Sequence, residues 1–157
     1  MTAGGRDVTA GGGAETTREA EARRAEVEAF LRRAGEWAAR RPDVVALALV
    51  GSYARGADRP DSDVDLMVLT TGPARYLDRE DWIGELGAER LVATRWWGPV
   101  TERRLLLPSG LEVEVGVAPP SWAAVDPVDA GACRVMTDGN RVLYDPAGLL
   151  AAFIAAR

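Results

Sequence analysis

Two acidic side chains at alternate positions are the clearest sign of chemistry in this sequence. Asp63 and Asp65 flank Val64, and the residues that follow are apolar as far as Leu69. Side chains of a β-strand point to its two faces in turn, so both carboxylates are predicted to share one face, about 7 Å apart. One interpretation is a solvated strand face. The other is a Mg²⁺ site, because this ion takes one or two carboxylates and completes its shell with water and substrate phosphates.

A glycine and a serine just upstream favour the metal interpretation. Gly51 and Ser52 follow residues 44–50, a continuous apolar run typical of a buried strand. Glycine permits close backbone approach to an anion, and a serine hydroxyl can donate a hydrogen bond to it. If residues 53–56 begin a short helix, its free N–H groups point at the same anion. The turn and the acidic pair together predict a site for a metal-bound phosphate.

The basic side chains narrow the possible mechanisms. All 19 are arginines, and the chain has no histidine. This excludes an imidazole general base, a Ser-His-Asp triad, a histidine-containing zinc site and a P-loop lysine. Phosphate contacts must come from guanidinium groups or backbone N–H groups. Arg55 is a candidate nucleotide contact, although it can instead pair with Asp58 or Asp61 across the turn.

A third carboxylate is expected on a later strand. Glu112 and Glu114 alternate with Leu111, Val113 and Val115, so the two glutamates share the face opposite the apolar residues. One of them facing the aspartates would complete a two-metal site. The alternative is that both are exposed on an edge strand.

Two adjacent pairs of large side chains, Trp96-Trp97 and Arg103-Arg104, also lie in predicted strands. Because neighbours in a strand point to opposite faces, at most one member of each pair can line the site. We expect the tryptophans to pack in the core rather than against a base. One of the arginines is a candidate contact to a phosphate.

The wider pattern predicts the elements that position these residues. Residues 1–15, rich in glycine, alanine and threonine, are predicted to form a disordered tail, and residues 16–157 a single domain. Thr16 and Glu19 have capping-box spacing and begin an amphipathic helix that Pro42 ends. The other predicted elements are strands over residues 44–50, 63–69, 91–97, 100–107 and 111–117, a short helix over 76–86, edge strands at Val135 and 141–144, and a final helix capped by Asp145 with Pro146 at its first position. Residues 108–110 predict a tight hairpin.

The composition limits the possible partners. A net charge of −5 argues against an extended surface for nucleic acid, which is bound mainly through its phosphates. No apolar run approaches the ~20 residues that a bilayer span needs. The N-terminal residues lack a secretory pattern, and the single Cys133 cannot form an internal disulfide. We therefore expect a cytoplasmic protein without membrane contact.

The motifs together identify a likeness to a known family. The segment from Gly51 to Gly56, followed by Asp63-Val64-Asp65, resembles the Gly-Ser and Asp-x-Asp signature of the nucleotidyltransferase superfamily related to DNA polymerase β. The resemblance implies an α+β fold in which a mixed β-sheet packs with helices. It also implies two Mg²⁺ ions held by three carboxylates, and transfer of a nucleotidyl group from a triphosphate with release of pyrophosphate. In the family the third carboxylate follows an apolar residue on a later strand, which favours Glu114 over Glu112, although an aspartate is more usual there.

On this resemblance the chain is a nucleotidyltransferase that moves AMP from ATP to a hydroxyl of a small molecule or of a protein. Asp63, Asp65 and Glu114 would be the catalytic and metal-binding residues, and Gly51, Ser52 and Arg55 would bind the nucleotide. Residues 97–114 are similar to the core of aminoglycoside adenylyltransferase-like members. Two alternatives remain open. One is an antitoxin that binds or nucleotidylates a small helical toxin partner, and the other is a degenerate domain that binds nucleotide without turnover, suggested by glutamate at the third position.

Overall fold

The computed structural model describes residues 9–157, whose strands form a six-stranded sheet in the order β3-β4-β5-β2-β1-β6. The strands are β1 Val44–Val50, β2 Val64–Thr70, β3 Arg90–Trp97, β4 Val100–Leu106, β5 Glu112–Ala118 and β6 Asn140–Tyr144. The helices are α1 Thr9–Arg40, α2 Gly51–Arg55, α3 Arg75–Asp78, α4 Asp81–Glu85, α5 Ala130–Thr137 and α6 Leu149–Ala156, with a 3-10 turn at Pro120–Ala123. No described helix combines the length and the apolar character needed to cross a membrane.

The sheet is mixed. Strands β2 and β5 are parallel, and the other neighbouring strands described are antiparallel. A mixed sheet with helices is the α+β architecture that the resemblance implied, so the predicted fold class is confirmed. The hairpin expected at residues 108–110 joins β4 to β5, with Gly110 N–H donating to the Leu107 carbonyl.

Each face of the sheet buries its own core, because the strands alternate their side chains between the two faces. Helix α1 covers one face, where its apolar stripe packs on β1, β2 and β5; this core includes Leu31, Trp37, Leu47, Leu66 and Val115. The 3-10 turn, α5 and α6 cover part of the other face, where the core includes Ala48, Met67, Trp122, Met136 and Phe153. The rest of this second face is left uncovered and carries the acidic residues.

A polar network connects the residues after α1 to α3 and α4. Tyr76 is fully buried, and its hydroxyl donates to Asp43 Oδ2 at 2.6 Å while accepting from Arg41 Nε at 2.8 Å. Arg41 also reaches Glu85 at 2.8 Å, and its guanidinium lies 5.3 Å from the ring centroid of Trp37. These contacts satisfy charges that would otherwise be costly to bury.

Helix α1 begins earlier than the capping-box signal predicts. The helix starts at Thr9, so residues 9–15, which we expected in a disordered tail, are helical, while residues 1–8 lie outside the described residues. Adding residues to an existing helix is far easier than nucleating one, which accounts for the extension past Thr16. The division of the chain into a tail and a single domain stays a prediction.

Two of the expected elements take a different form. Val135 lies in α5 rather than in an edge strand, because the Asp129 carboxylate accepts from the Ala132 N–H and caps a helix that buries Ala132 and Met136. The helix expected over residues 76–86 is divided into α3 and α4, since Arg79 has extended backbone angles.

The two C-terminal expectations hold with shifted boundaries. The strand expected over residues 141–144 is β6, an edge strand beside β1. The last helix begins at Leu149 rather than at Pro146. The Asp145 carboxylate nevertheless accepts from the N–H groups of Leu150 and Ala151, as a capping residue does.

Candidate functional site

The site begins with two acidic residues on parallel strands. In the register of β2 and β5, Asp65 is the partner of Glu114, so their backbones lie about 4.8 Å apart. Both side chains project from the sheet face opposite α1, since their neighbours Val64 and Val113 are buried in the α1-side core. Asp63 comes one residue before β2 and two before Asp65. The predicted aspartates and the predicted glutamate therefore meet at one edge of the second face.

A single arginine binds three of the acidic side chains. Arg104 on β4 is the register partner of Glu114. Its Nη1 donates to Asp63 Oδ2 at 3.0 Å and to Glu112 Oε2 at 2.5 Å, and its Nη2 donates to Glu114 Oε1. The hydrogen bonds and charges of these carboxylates raise the pKa of Arg104 even though burial acts to lower it. The guanidinium is therefore a permanent positive charge in the middle of the cluster.

Asp65 is not among the carboxylates that bind Arg104. Burial raises the pKa of Asp65 to about 6, and the negative charges of Asp63 and Glu102 add to the shift, while Arg104 and Arg55 oppose it. A carboxyl with a pKa near 6 is mostly ionised at pH 7 but at an energetic cost. An added cation would offset part of this cost.

Gly51 lies directly against Asp65. Val50 is the register partner of Asp65, so the turn after β1 passes over the carboxylate. Gly51 has φ of 77°, and a Cβ at this position would collide with Asp65 Oδ2. Helix α2 then runs for one turn until Gly56, at φ of 70°, ends it. The Ser52 hydroxyl has no hydrogen-bond partner among the described residues.

Two cavities adjoin the cluster. One, of about 340 Å³, is lined by residues that include Gly51, Arg55, Asp65, Trp97 and Glu114. The other, of about 640 Å³, lies between α1 and the β4–β5 hairpin; its lining includes Glu26, Asp63, Ser109 and Glu112. Arg104 binds carboxylates from both cavities. The arrangement provides one space on each side of a charged centre, enough for two reactants.

The donor atoms suit a divalent metal in type but are not assembled for one. Asp63, Asp65 and Glu114 offer the hard carboxylate oxygens that Mg²⁺ prefers. Within residues 9–157, however, no group of three metal-ligating side chains converges into a cage. The guanidinium of Arg104 occupies the space between the carboxylates and acts as a stand-in cation. The residues therefore fit a metal once the guanidinium has moved.

A comparison with protein families identifies the kind of domain to which these residues belong. Residues 32–104 match the family model of the nucleotidyltransferase domain. Residues 32–104 carry a nucleotidyltransferase domain. The match runs from α1 through β1, α2 and β2 to Arg104 in β4, so it includes the Gly-Ser turn and both aspartates, while Glu114 follows it. No curated protein matches the chain in a sequence search.

The match over residues 32–104 has general consequences. The nucleotidyltransferase domain performs nucleotidyl transfer and takes a nucleoside triphosphate as substrate, and members of the family typically use a divalent metal. The resemblance drawn from the Gly-Ser and Asp-x-Asp motifs is confirmed by this match. The roles of individual residues are not tested by it and stay predictions.

The structure positions the other predicted nucleotide contacts differently. Arg55 lines the smaller cavity, and its Nη1 donates to the Asp138 carbonyl at 3.5 Å, so it pairs with neither Asp58 nor Asp61. Asp58 binds Arg24 Nε at 3.2 Å instead. Ser52 lies one residue beyond the lining of that cavity. Of the expected turn contacts, Gly51 and Arg55 therefore reach the cavity directly.

Glu112 and Glu114 are both drawn into the cluster, so the two candidates for the third carboxylate are not exclusive. Each binds Arg104, and neither is exposed on an edge strand, because β4 and β2 flank β5. Glu114 alone is the register partner of Asp65. This relationship favours Glu114 as the ligand shared with the aspartates.

Sequence reasoning missed two features of the site. It gave Arg104 only as one of two possible phosphate contacts, and it did not consider Glu102, which lines the smaller cavity. The expectation that both tryptophans pack in the core was wrong: Trp96 is 67% exposed and Trp97 is 59% exposed. They lie on an edge strand, where only one side has a neighbour, and Trp97 faces the cavity.

Proposed function

We propose that this chain is a Mg²⁺-dependent nucleotidyltransferase that transfers AMP from ATP to a hydroxyl group and releases pyrophosphate. The observation that supports the proposal is the register of β2 and β5, in which Asp65 is the partner of Glu114 and Asp63 is two residues away. Such a cluster beside a glycine turn is suited to a triphosphate with its metals. Adenine is proposed as the base of the triphosphate because of the family resemblance.

The carboxylates and the turn have separate roles in this proposal. Asp63, Asp65 and Glu114 hold the metal, which, when bound, neutralises the phosphates and lowers the pKa of the acceptor hydroxyl. Gly51 lets the phosphates approach the backbone after β1, and Arg55 and the Ser52 hydroxyl are available to their oxygens. The smaller cavity takes the nucleotide, because Gly51, Arg55 and Asp65 line it.

The reaction is a substitution at the α-phosphorus. The acceptor oxygen forms a bond to that phosphorus, the bond from the α-phosphorus to the bridging oxygen breaks, and pyrophosphate leaves with the electron pair. Glu114, which lines the smaller cavity, accepts the hydroxyl proton directly or through water. Positioning and charge neutralisation supply most of the catalysis in such transfers, so the lack of histidine is no obstacle.

The test is a turnover assay with each of ATP, GTP, CTP and UTP labelled at the α-phosphate, in Mg²⁺, against a panel of small hydroxyl compounds and proteins. We expect label on an acceptor and an equal amount of pyrophosphate, with ATP preferred. The same assay in EDTA is expected to give neither product. Equal turnover in EDTA would contradict the metal dependence.

A second candidate is nucleotide binding without turnover. The observation that favours it is Arg104, whose guanidinium occupies the carboxylates. Titration calorimetry with a non-hydrolysable ATP analogue and Mg²⁺ separates the two candidates. Binding of the analogue together with no pyrophosphate from any triphosphate would establish the second and reject the first. The antitoxin alternative stays a prediction, since no described contact favours a toxin partner.

A further inference from the structure

The side chain of Arg104 is held only by carboxylates among the described residues, and two of them, Asp63 and Glu114, are proposed metal ligands. All of its described hydrogen bonds go to Asp63, Glu112 and Glu114. Among the described residues it has no carbonyl partner and no aromatic ring beneath it. Arg103, its neighbour on the opposite face, donates instead to the Leu77 carbonyl. A metal that takes Asp63 and Glu114 therefore leaves Arg104 with Glu112 as its remaining described partner.

The acidic side chains around Arg104 need a positive charge among them. Asp63, Asp65, Glu102, Glu112 and Glu114 lie on or beside one edge of the sheet face, so removal of Arg104 would leave strong repulsion among partly buried carboxylates. The side chain of Arg104 is only 22% exposed, and that of Glu114 is 20% exposed. Solvent therefore screens these charges less than it screens surface pairs.

We propose that Arg104 is a displaceable internal cation: it neutralises the acidic cluster of the metal-free protein, and a divalent metal must expel its guanidinium in order to bind. A divalent ion carries twice the charge in a smaller volume, so it can replace the guanidinium among the same oxygens. The expelled guanidinium lies between the two cavities, where phosphate oxygens offer it a bidentate partner. This inference rests on the metal site of the proposed function and names the residue that sets its metal affinity.

The proposal predicts that Arg104 opposes metal binding while it supports the metal-free fold. Replacing Arg104 by glutamine removes the competing charge and leaves the carboxylates in place. In Arg104→Gln, the dissociation constant for Mn²⁺, measured by titration calorimetry or by the EPR signal of free Mn²⁺ without nucleotide at pH 7.5, is expected to fall about tenfold relative to wild type, or about 1.4 kcal/mol. The melting temperature without metal is expected to fall.

Arg95→Gln is the matched control. Arg95 lies on β3 next to Glu102 in the register, is exposed, and has no ion pair among the described residues. The Arg95→Gln substitution removes one positive charge from the same sheet face as Arg104→Gln does, but it breaks no described ion pair with a carboxylate. Its Mn²⁺ affinity is expected to stay within about twofold of wild type. A tenfold gain in Arg95→Gln as well would assign the effect to net charge and overturn the proposal.

A structural role for Arg104 gives a different result. If the arginine only positions the carboxylates, Arg104→Gln binds Mn²⁺ with unchanged or lower affinity, and the proposal fails. If the variant is unstable without metal, its melting temperature is followed against Mn²⁺ concentration, because a ligand of the folded state raises the melting temperature more when it binds more tightly. A variant that stays unfolded in millimolar Mn²⁺ also contradicts the proposal.

These measurements use the metal alone and are independent of turnover. Tighter Mn²⁺ binding by Arg104→Gln together with no pyrophosphate release would support the displaceable cation and reject the proposed transfer. If Arg104→Gln binds Mn²⁺ with the wild-type affinity while the wild-type protein shows turnover, the displaceable cation is rejected and the proposed transfer is supported. The two proposals can therefore fail separately.

Discussion

Asp65 and Glu114 are partners on the parallel strands β2 and β5, close to the N-terminal end of each strand. Strand β1 runs antiparallel to β2, so its C-terminal end, at Val50, reaches the same edge of the sheet. The turn that begins at Gly51 therefore lies against Asp65 and lines the same cavity as Glu114. The directions of these strands bring the turn after β1 and the carboxylates to the same end of the sheet.

The first prediction concerns the two aspartates. Asp63→Asn and Asp65→Asn each remove a proposed metal ligand at nearly constant volume, and each is expected to lower nucleotidyl transfer at least about a hundredfold. Asp65→Asn is expected to leave the free energy of unfolding unchanged or slightly higher, because it relieves repulsion from Asp63 and Glu102. Pyrophosphate release and urea unfolding measure the two effects.

Asp78→Asn is the control for these variants. Asp78 ends α3, is exposed, and has no ion pair among the described residues. It makes the same chemical change away from the cluster and is expected to keep wild-type turnover. Wild-type turnover in Asp63→Asn or Asp65→Asn would remove that residue from the proposed metal site.

The second prediction concerns the pH dependence of stability without metal. Burial raises the pKa of Asp65 to about 6 in the folded protein, from an ordinary value of 3.8. Between these values the folded state binds more protons than the unfolded chain, so the contribution of Asp65 to stability falls as the pH rises from about 4 to about 6. The loss is on the order of 1–3 kcal/mol, since the group is partly solvated and coupled to its neighbours.

Urea unfolding of wild type and Asp65→Asn at pH 4, 5, 6 and 7 tests this sign. Asparagine does not titrate, so the stability of the variant relative to wild type is expected to increase up to about pH 6.5 and then level off. A difference between the two proteins that does not change with pH would show that Asp65 has an ordinary pKa.

Much of this site follows from local sequence signals. The apolar run before Gly51 predicts β1, and the alternation around Asp65 and Glu114 predicts the face on which each carboxylate lies. These features depend on the period of a strand, which the sequence carries directly. Which strands become neighbours depends on long-range packing, so the parallel pairing of β2 with β5 could come only from the family resemblance.

The pairing of Arg104 with Glu114 could have been predicted from the sequence. A hairpin centred on Ser109 pairs Leu105 with Val113 and Arg104 with Glu114, as the structure has them. Extending the predicted hairpin in this way would have identified the arginine as a partner of the glutamate. Its contacts with Asp63 and Glu112 required the position of β2 as well, which the hairpin does not give.

The predictions that were wrong, for Val135 and for the two tryptophans of β3, failed for local reasons. Val135 has strong strand propensity, but the cap at Asp129 and the burial of Met136 favour a helix there. The tryptophans of β3 were expected in the core because of their size, yet an edge strand leaves Trp96 and Trp97 uncovered. In both cases tertiary position outweighs residue type.

The third prediction concerns the buried network at the end of α1. Tyr76→Phe removes a hydroxyl that binds both Arg41 and Asp43, and it leaves these charged groups without that partner. The expected loss in the free energy of unfolding is about 1–3 kcal/mol. Tyr144→Phe is the control, since the Tyr144 hydroxyl has no hydrogen bond among the described residues. Equal losses in the two variants would show that the network contributes nothing specific to stability.

The fourth prediction separates backbone strain from contact with the site. Gly51 and Gly56 both have positive φ, 77° and 70°, so alanine at either position is expected to cost about 1–2 kcal/mol. A Cβ at Gly56 meets no atom within 4 Å, whereas a Cβ at Gly51 would collide with the Asp65 carboxylate. Gly51→Ala must therefore displace Asp65 as well.

Gly51→Ala is expected to be the less stable variant in urea and to lower nucleotidyl transfer at least about tenfold relative to Gly56→Ala. Equal stability and equal turnover in the two variants would mean that the turn can move away from Asp65 without cost, and that its close approach is not required for the reaction.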